Sequence, residues 1–311
     1  MESNKETKTY DEDLSLFPDL QQYKRQLQQL RELTPDNTPF DKLYDKYFDL
    51  AVILPQITAM QTAENFNQHR FFRVRLNINE DTEDTRIIQT HSYPPGYVCK
   101  ENGRANLKGR SVFYCSNDPT CALLESKPKV GDIAHISIWR GAATRDIKIA
   151  LCLPFNLTDF NSFQVMANEA WAFAKKHYTD EARDKFEHFI ELNKFIADRF
   201  VQERIPYFLT SWFADQILFH NDHWRDYILY PSVESNKKYC NMAFHPNTVT
   251  RFMTLEKVIR VKIVKVENKD VEFTMGRVGE IEKTNLKWRK ATDIEDKLFT
   301  DYGFVPNEIK K

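Results

Sequence analysis

Over residues 19–33 the apolar positions Leu20, Tyr23, Leu27, Leu30 and Leu33 recur at three- and four-residue intervals, which predicts an amphipathic helix with one buried face. The run Thr34-Pro35-Asp36-Asn37-Thr38-Pro39 ends it, since proline removes a backbone donor and small polar residues favour turns. A second helix is expected over 40–54, so the two read as a helical hairpin whose apolar stripes are packing surfaces. The period changes at Phe71-Phe72-Arg73-Val74-Arg75-Leu76, where alternation and aromatic residues predict a strand and the start of a core. Strands follow over 111–115, 132–139 and 146–153, and a short helix over 118–126 with Asn117 or Asp118 as its cap. From 161 to 220 the pattern is helical, marked by Phe186, Phe189, Ile190, Leu192, Phe195 and Ile196 and broken at Pro206. Short strands return at 227–230 and 240–244. A hairpin over 255–266 and 271–275 then turns at Asn268-Lys269-Asp270, and a helix closes the chain over 294–302.

This order predicts an α+β fold in three parts. They are an N-terminal helical extension (1–65), a core (66–250) carrying a large helical insert (161–220), and a C-terminal hairpin and helix (251–311). With 41% hydrophobic residues, 23 Phe and 13 Tyr in 311 residues, the chain has ample apolar surface for one sizeable core. A formal net charge of -1 supplies no field for a polyanion, so direct nucleic-acid binding loses ground. Five cysteines without a CxxC pair fit neither a disulfide framework nor a zinc ribbon and point to a reducing compartment. The polar N-terminus, with no apolar run approaching eighteen residues, leads us to expect a soluble, cytoplasmic protein without membrane contact.

Missing motifs narrow the chemistry. There is no GxxxxGK[ST] loop, GxGxxG fingerprint, HExxH pair or GxSxG elbow. His220 and His223 could share a helical face, but no third ligand accompanies them, and no metal is expected.

The positive signal lies between Gly103 and Glu125. Gly103-Arg104-Ala105-Asn106 is followed by Tyr114 at the end of a strand and by Glu125 at the end of the short helix. Arg73 precedes this stretch in Phe72-Arg73-Val74; Ser232 follows in Tyr230-Pro231-Ser232, with Asn241 beyond it. Three of only eight glycines, Gly96, Gly103 and Gly109, fall just before the strand, where a chain that turns sharply approaches a ligand. In order and spacing these fragments resemble the RES domain family, named for an arginine, a glutamate and a serine. The resemblance covers about 71–246. Ala105 and Leu107 replace a tryptophan and a proline often found in the turn, and the helical insert is longer than in minimal members.

The resemblance implies an ADP-ribosyltransferase-like bent mixed sheet and consumption of NAD by hydrolysis or phosphorolysis of the nicotinamide-ribose bond. It further implies a growth-inhibiting toxin with a helix-turn-helix (Xre-type) antitoxin as partner. On this basis Glu125, Arg104 and Ser232 are the candidate catalytic residues, and Arg73, Arg104, Tyr114, Ser232, Asn106 and Asn241 the candidate NAD-binding residues. Their types suit the chemistry. A carboxylate stabilises an oxocarbenium-like ribose, guanidinium forks hold a pyrophosphate, and a phenol stacks on nicotinamide and hydrogen-bonds to it. A loop serine can fix the ribose or amide, with asparagines keeping the loops in shape. Two other readings stay open at this point: ADP-ribosyl transfer to a protein, and a catalytically silent binding module that keeps the fold. The acceptor and the oligomeric state are also open.

Overall fold

The computed structural model describes residues 18–34, 42, 57–154, 157, 161, 163–178, 183–219 and 225–302. The first amphipathic stripe forms helix α1 (Leu20–Arg31), whose N-terminal donors at Gln21 and Gln22 are accepted by the Asp19 carboxylate. Its buried Tyr23, Leu27 and Leu30 belong to the main core, and the Tyr23 ring packs against His188 at 4.9 Å. The helix expected over 40–54 lies outside the described residues except for Lys42, and His220 and His223 lie outside them too.

Among the described residues ten strands form one sheet: β1 (Thr58–Gln61), β2 (Arg70–Leu76), β3 (Phe113–Ser116), β4 (Ile133–Gly141), β5 (Ile147–Leu151), β6 (Tyr227–Pro231), β7 (Cys240–Phe244), β8 (Met253–Glu267), β9 (Asp270–Glu282) and β10 (Asn285–Lys290). Their order is β1-β5-β6-β7-β3-β2-β4-β8-β9-β10. Every pairing is antiparallel except β5 with β6, so the sheet is mixed and the fold is α+β. Parallel neighbours cannot be joined by a tight turn and need a crossover. The helical segment supplies it, as α4 (Gln164–Tyr178), α5 (Arg183–Gln202) and α6 (Leu209–Phe219) between β5 and β6.

Other elements differ from the sequence expectation in extent. Strand β9 runs to Glu282 instead of 275, and β10 was not anticipated. Gly276 and Gly279 interrupt the alternation and read as breakers, yet the Trp288 ring lies over Gly279, where an added Cβ would meet it at 3.2 Å. The expected turn is present, with Asn268 and Lys269 both at positive φ as a two-residue hairpin loop requires. Strand β8 pairs with β4 from Met253 to Lys262, so the C-terminal hairpin extends the core sheet. Short elements β1, α2 (Ala63–Gln68) and α7 (Pro246–Phe252) also lacked a clear period.

Two features position the site. Strands β2 and β3 pair only at Phe72↔Ser116, so the sheet opens on either side of that bridge. Helix α3 (Pro119–Glu125) follows β3 directly, capped by Asp118, whose carboxylate accepts from the Cys121 amide at 2.8 Å. Its Ala122 and Leu123 pack with Phe72, Ile136, Ile138 and Ile259, which fixes the helix on the sheet and leaves Glu125 at its C-terminal end.

Candidate active site

A cleft of about 240 Å³ opens where β2 and β3 part, lined by Arg73, Arg104, Tyr114, Glu125, Tyr207, Tyr230 and Asn241 among others. It therefore gathers residues far apart in the chain: two guanidiniums, three phenols and one carboxylate.

The carboxylate is held at one oxygen. Ser232 Oγ donates to Glu125 Oε1 at 2.6 Å, and Asn241 Nδ2 donates to the same atom at 2.8 Å. No described residue hydrogen-bonds to Oε2, which is left as the oxygen available to a ligand. Ser232 is fully buried, and its Oγ in turn accepts from the Ser235 amide at 3.1 Å. In this geometry Ser232 addresses Glu125 and not the cleft itself, because the short turn after β6 folds it beneath the carboxylate. Ser211 is buried in α6 with its hydroxyl donated to the Tyr207 and Phe208 carbonyls, as a core helix position would be.

The Gly103–Asn106 turn is built around Tyr114. The Gly103 amide donates to the Asn106 carbonyl at 2.9 Å. The Tyr114 hydroxyl accepts from the Ala105 amide at 2.7 Å and donates to Asn106 Oδ1 at 2.8 Å. Both functions of that phenol are thus engaged inside the turn, and burial pushes its pKa above the ordinary phenol value. Its ring still lines the cleft. Asn106 closes the turn through Nδ2, which donates to the Leu107 carbonyl.

The turn presents Arg104 to the insert. Arg104 Nη1 donates to the Phe200 carbonyl in the last turn of α5, and Nη2 to the Tyr207 hydroxyl at 3.3 Å. The guanidinium also lies 4.7 Å from the Tyr207 ring centroid. A cation at a helix C-terminus satisfies a carbonyl that the helix leaves open. Two of the five guanidinium donors are used, so the others remain for an anion.

Arg73 enters from β2. Its Nη1 donates to the Tyr114 carbonyl at 3.1 Å across the gap in the sheet, and its guanidinium sits 5.5 Å from the Phe113 ring centroid. Its Nε is buried without a partner, and none of the described carboxylates forms an ion pair with it. Burial, with Arg75 nearby, lowers its pKa to about 10, so it stays cationic at neutral pH.

Sequence reading did not single out Tyr207 or Tyr230. Tyr207 sits in the linker between two insert helices, where no pattern marks it. Tyr230 stands two residues before Ser232 and could have been found as the aromatic sharing that segment. Among the described residues, no group of three or more His, Cys, Asp or Glu side chains is arranged to hold a metal ion, and no helix is long and apolar enough to cross a membrane. All five cysteines are unpaired.

Neither the curated proteins nor the solved structures contain a match to this chain. The family model for the RES domain matches residues 86–258, which include Arg104, Asn106, Tyr114, Glu125, Ser232 and Asn241 and leave Arg73 just outside. That match spans more than half of the 311 residues, and on it the chain belongs to the RES domain family.

Proposed function

We propose that this protein consumes NAD by breaking the bond between nicotinamide and ribose, with Glu125 as the central carboxylate. The observation that carries this reading is the pairing of a half-buried Arg73, which no described carboxylate offsets, and a half-free Arg104 with a carboxylate anchored at one oxygen. A guanidinium with its Nε buried and no counter-ion is partly desolvated at a cost, and an anionic ligand offsets that cost. The cleft is slightly below the roughly 300–1,000 Å³ usual for small-ligand pockets. It suits one end of a dinucleotide, with the remainder along the open side.

In this reading Arg104 and Arg73 hold the diphosphate and place the nicotinamide ribose beside Glu125. When the C1′–N bond breaks, its electron pair goes to the nicotinamide nitrogen and positive charge develops on the ribose. Glu125 Oε2 faces that charge and stabilises it. An oxygen of water or phosphate then bonds to C1′, and an attacking water gives up its proton to solvent as it does so. Ser232 and Asn241 keep the carboxylate oriented throughout.

Cleavage of this kind would inhibit growth, and the reading includes a helix-turn-helix antitoxin seated over the cleft entrance. Tyr97 and Ile205 are exposed apolar side chains close in the chain to the cleft residues Arg104 and Tyr207, whose segments are joined by the hydrogen bond from Asn102 Nδ2 to the Tyr207 carbonyl.

The test is incubation with labelled NAD, with and without phosphate, for wild type, Glu125→Ala and Arg104→Ala. Free ADP-ribose or its phosphate from wild type alone supports the proposal. Label retained on a macromolecule would redirect it to ADP-ribosyl transfer, and intact NAD in both buffers would end it.

A further inference from the structure

Tyr230 is almost wholly buried, and its ring packs on Phe200 of α5 at 5.2 Å between centroids. It stands directly across from Asn241 in the β6–β7 ladder, so the two side chains project from the same side of the sheet. On that side Asn241 meets Glu125. The phenol consequently lies among Tyr114, Glu125, Arg104 and Tyr207 and lines the cleft.

Three tyrosines face this space, and their hydroxyls differ. That of Tyr114 is consumed by the Gly103–Asn106 turn, and that of Tyr207 accepts from Arg104. The Tyr230 hydroxyl makes no hydrogen bond to any described residue. The hydroxyl is not sealed in with the buried unpartnered atoms of the fold; it opens on the cleft, where a ligand oxygen can replace water as its partner. Burial keeps this phenol protonated well beyond neutral pH, which makes it a donor.

We propose that Tyr230 is a substrate-contacting residue whose hydroxyl donates to an oxygen on the nicotinamide-side ribose, next to the point where Glu125 Oε2 acts. This rests on the NAD reading above and adds to it a donor that the arginine, glutamate and serine positions do not provide. The ring, clamped between β6 and α5, delivers the hydroxyl without a loop movement, and the insert thereby shapes the site from behind.

Tyr230→Phe separates contact from scaffolding, because it removes one oxygen and keeps the ring. If the hydroxyl serves only the substrate, the variant melts within about 2 °C of wild type, since the oxygen removed has no partner in the folded protein. Its kcat/KM for NAD falls about tenfold or more, and ADP-ribose binding followed by calorimetry weakens in parallel. Activity and binding within twofold of wild type would overturn the inference, and so would a melting temperature that falls several degrees together with activity. Wild-type protein that leaves NAD intact would end the NAD reading and this inference with it. Wild type that cleaves NAD beside an equally active Tyr230→Phe would end only the inference.

Discussion

Ser232 and Asn241 converge on one atom: Glu125 Oε1 accepts from Ser232 Oγ at 2.6 Å and from Asn241 Nδ2 at 2.8 Å. A carboxylate carried on the last residue of a short helix would otherwise be free to rotate. The turn after β6 and the second residue of β7 together remove that freedom and leave Oε2 without a partner among the described residues.

Because both donors serve the same oxygen, their loss is expected to be non-additive. Ser232→Ala and Asn241→Ala should each lower kcat for NAD about tenfold with little change in KM, and the double variant should lose less than the product of the two. A double-mutant cycle on initial rates measures this. Strict multiplicativity, or an effect confined to KM, would mean that the two side chains do not act through Glu125.

The turn that carries Arg104 depends on the absence of a side chain at position 103. A Cβ on Gly103 would fall against Asn106 Oδ1 and within 2.7 Å of the Tyr114 hydroxyl. Gly103→Ala should therefore cost about 1–3 kcal/mol of stability and displace Arg104. Tyr114→Phe should cost about 1–2 kcal/mol by orphaning the Ala105 amide and Asn106 Oδ1. Urea unfolding read beside the KM for NAD checks both. Unchanged stability in Tyr114→Phe would show that its phenol is not what holds the turn.

The chain's periodicity revealed most of this architecture where one face of an element is buried, as in α1, β2 and α3, while β6 and β7, buried along their whole length, showed as short runs. Clustering of Arg73, Arg104, Tyr114, Glu125, Ser232 and Asn241 was legible through the resemblance, since their types and order are local facts. Their division of labour was not. Tyr114 and Ser232 look like ligand contacts in a sequence, and only the hydrogen-bond partners reveal one as the keystone of a turn and the other as the support of a carboxylate. Tyr207 was hidden because its role depends on a crossover that brings the α5–α6 linker over Arg104, a contact across about a hundred residues that no local pattern encodes.

That linker is tied to α6 by hydrogen bonds. The Glu203 carboxylate accepts from the Leu209 and Thr210 amides at 2.9 Å, closing the start of α6 and holding Tyr207 against Arg104. Tyr207→Ala should raise KM for NAD about tenfold with kcat within about twofold, while Tyr207→Phe, which keeps the ring over the guanidinium, should stay close to wild type. Steady-state kinetics of the two variants decide it. Equal behaviour of Ala and Phe would remove the ring from any role in placing Arg104.

A pH effect follows from the far side of β4. His135 is buried with both ring nitrogens unpartnered, among His91 at 5.8 Å and Trp288 at 5.9 Å between ring centroids. Arg75 on β2 and Arg260 on β8 stand directly across from it; Arg75 is paired with Glu83, and Arg260 lies 3.7 Å from Glu80. Burial first, then His91 and Arg260, push its pKa from 6.5 down to about 3. The unfolded chain therefore takes up this proton before the folded one does. Stability is complete above pH 6.5 and falls as pH drops toward 3, by about 1.4 kcal/mol per pH unit for this one group. His91 and His245 are lowered by burial too and add in the same direction, so the informative quantity is a difference. Between pH 6.5 and 5, before most carboxylates titrate, His135→Phe should lose stability less steeply than wild type by close to one proton's worth. Urea unfolding at half-unit pH steps gives both slopes, and parallel slopes would show that His135 is already protonated, or equally reachable by protons, in the folded protein.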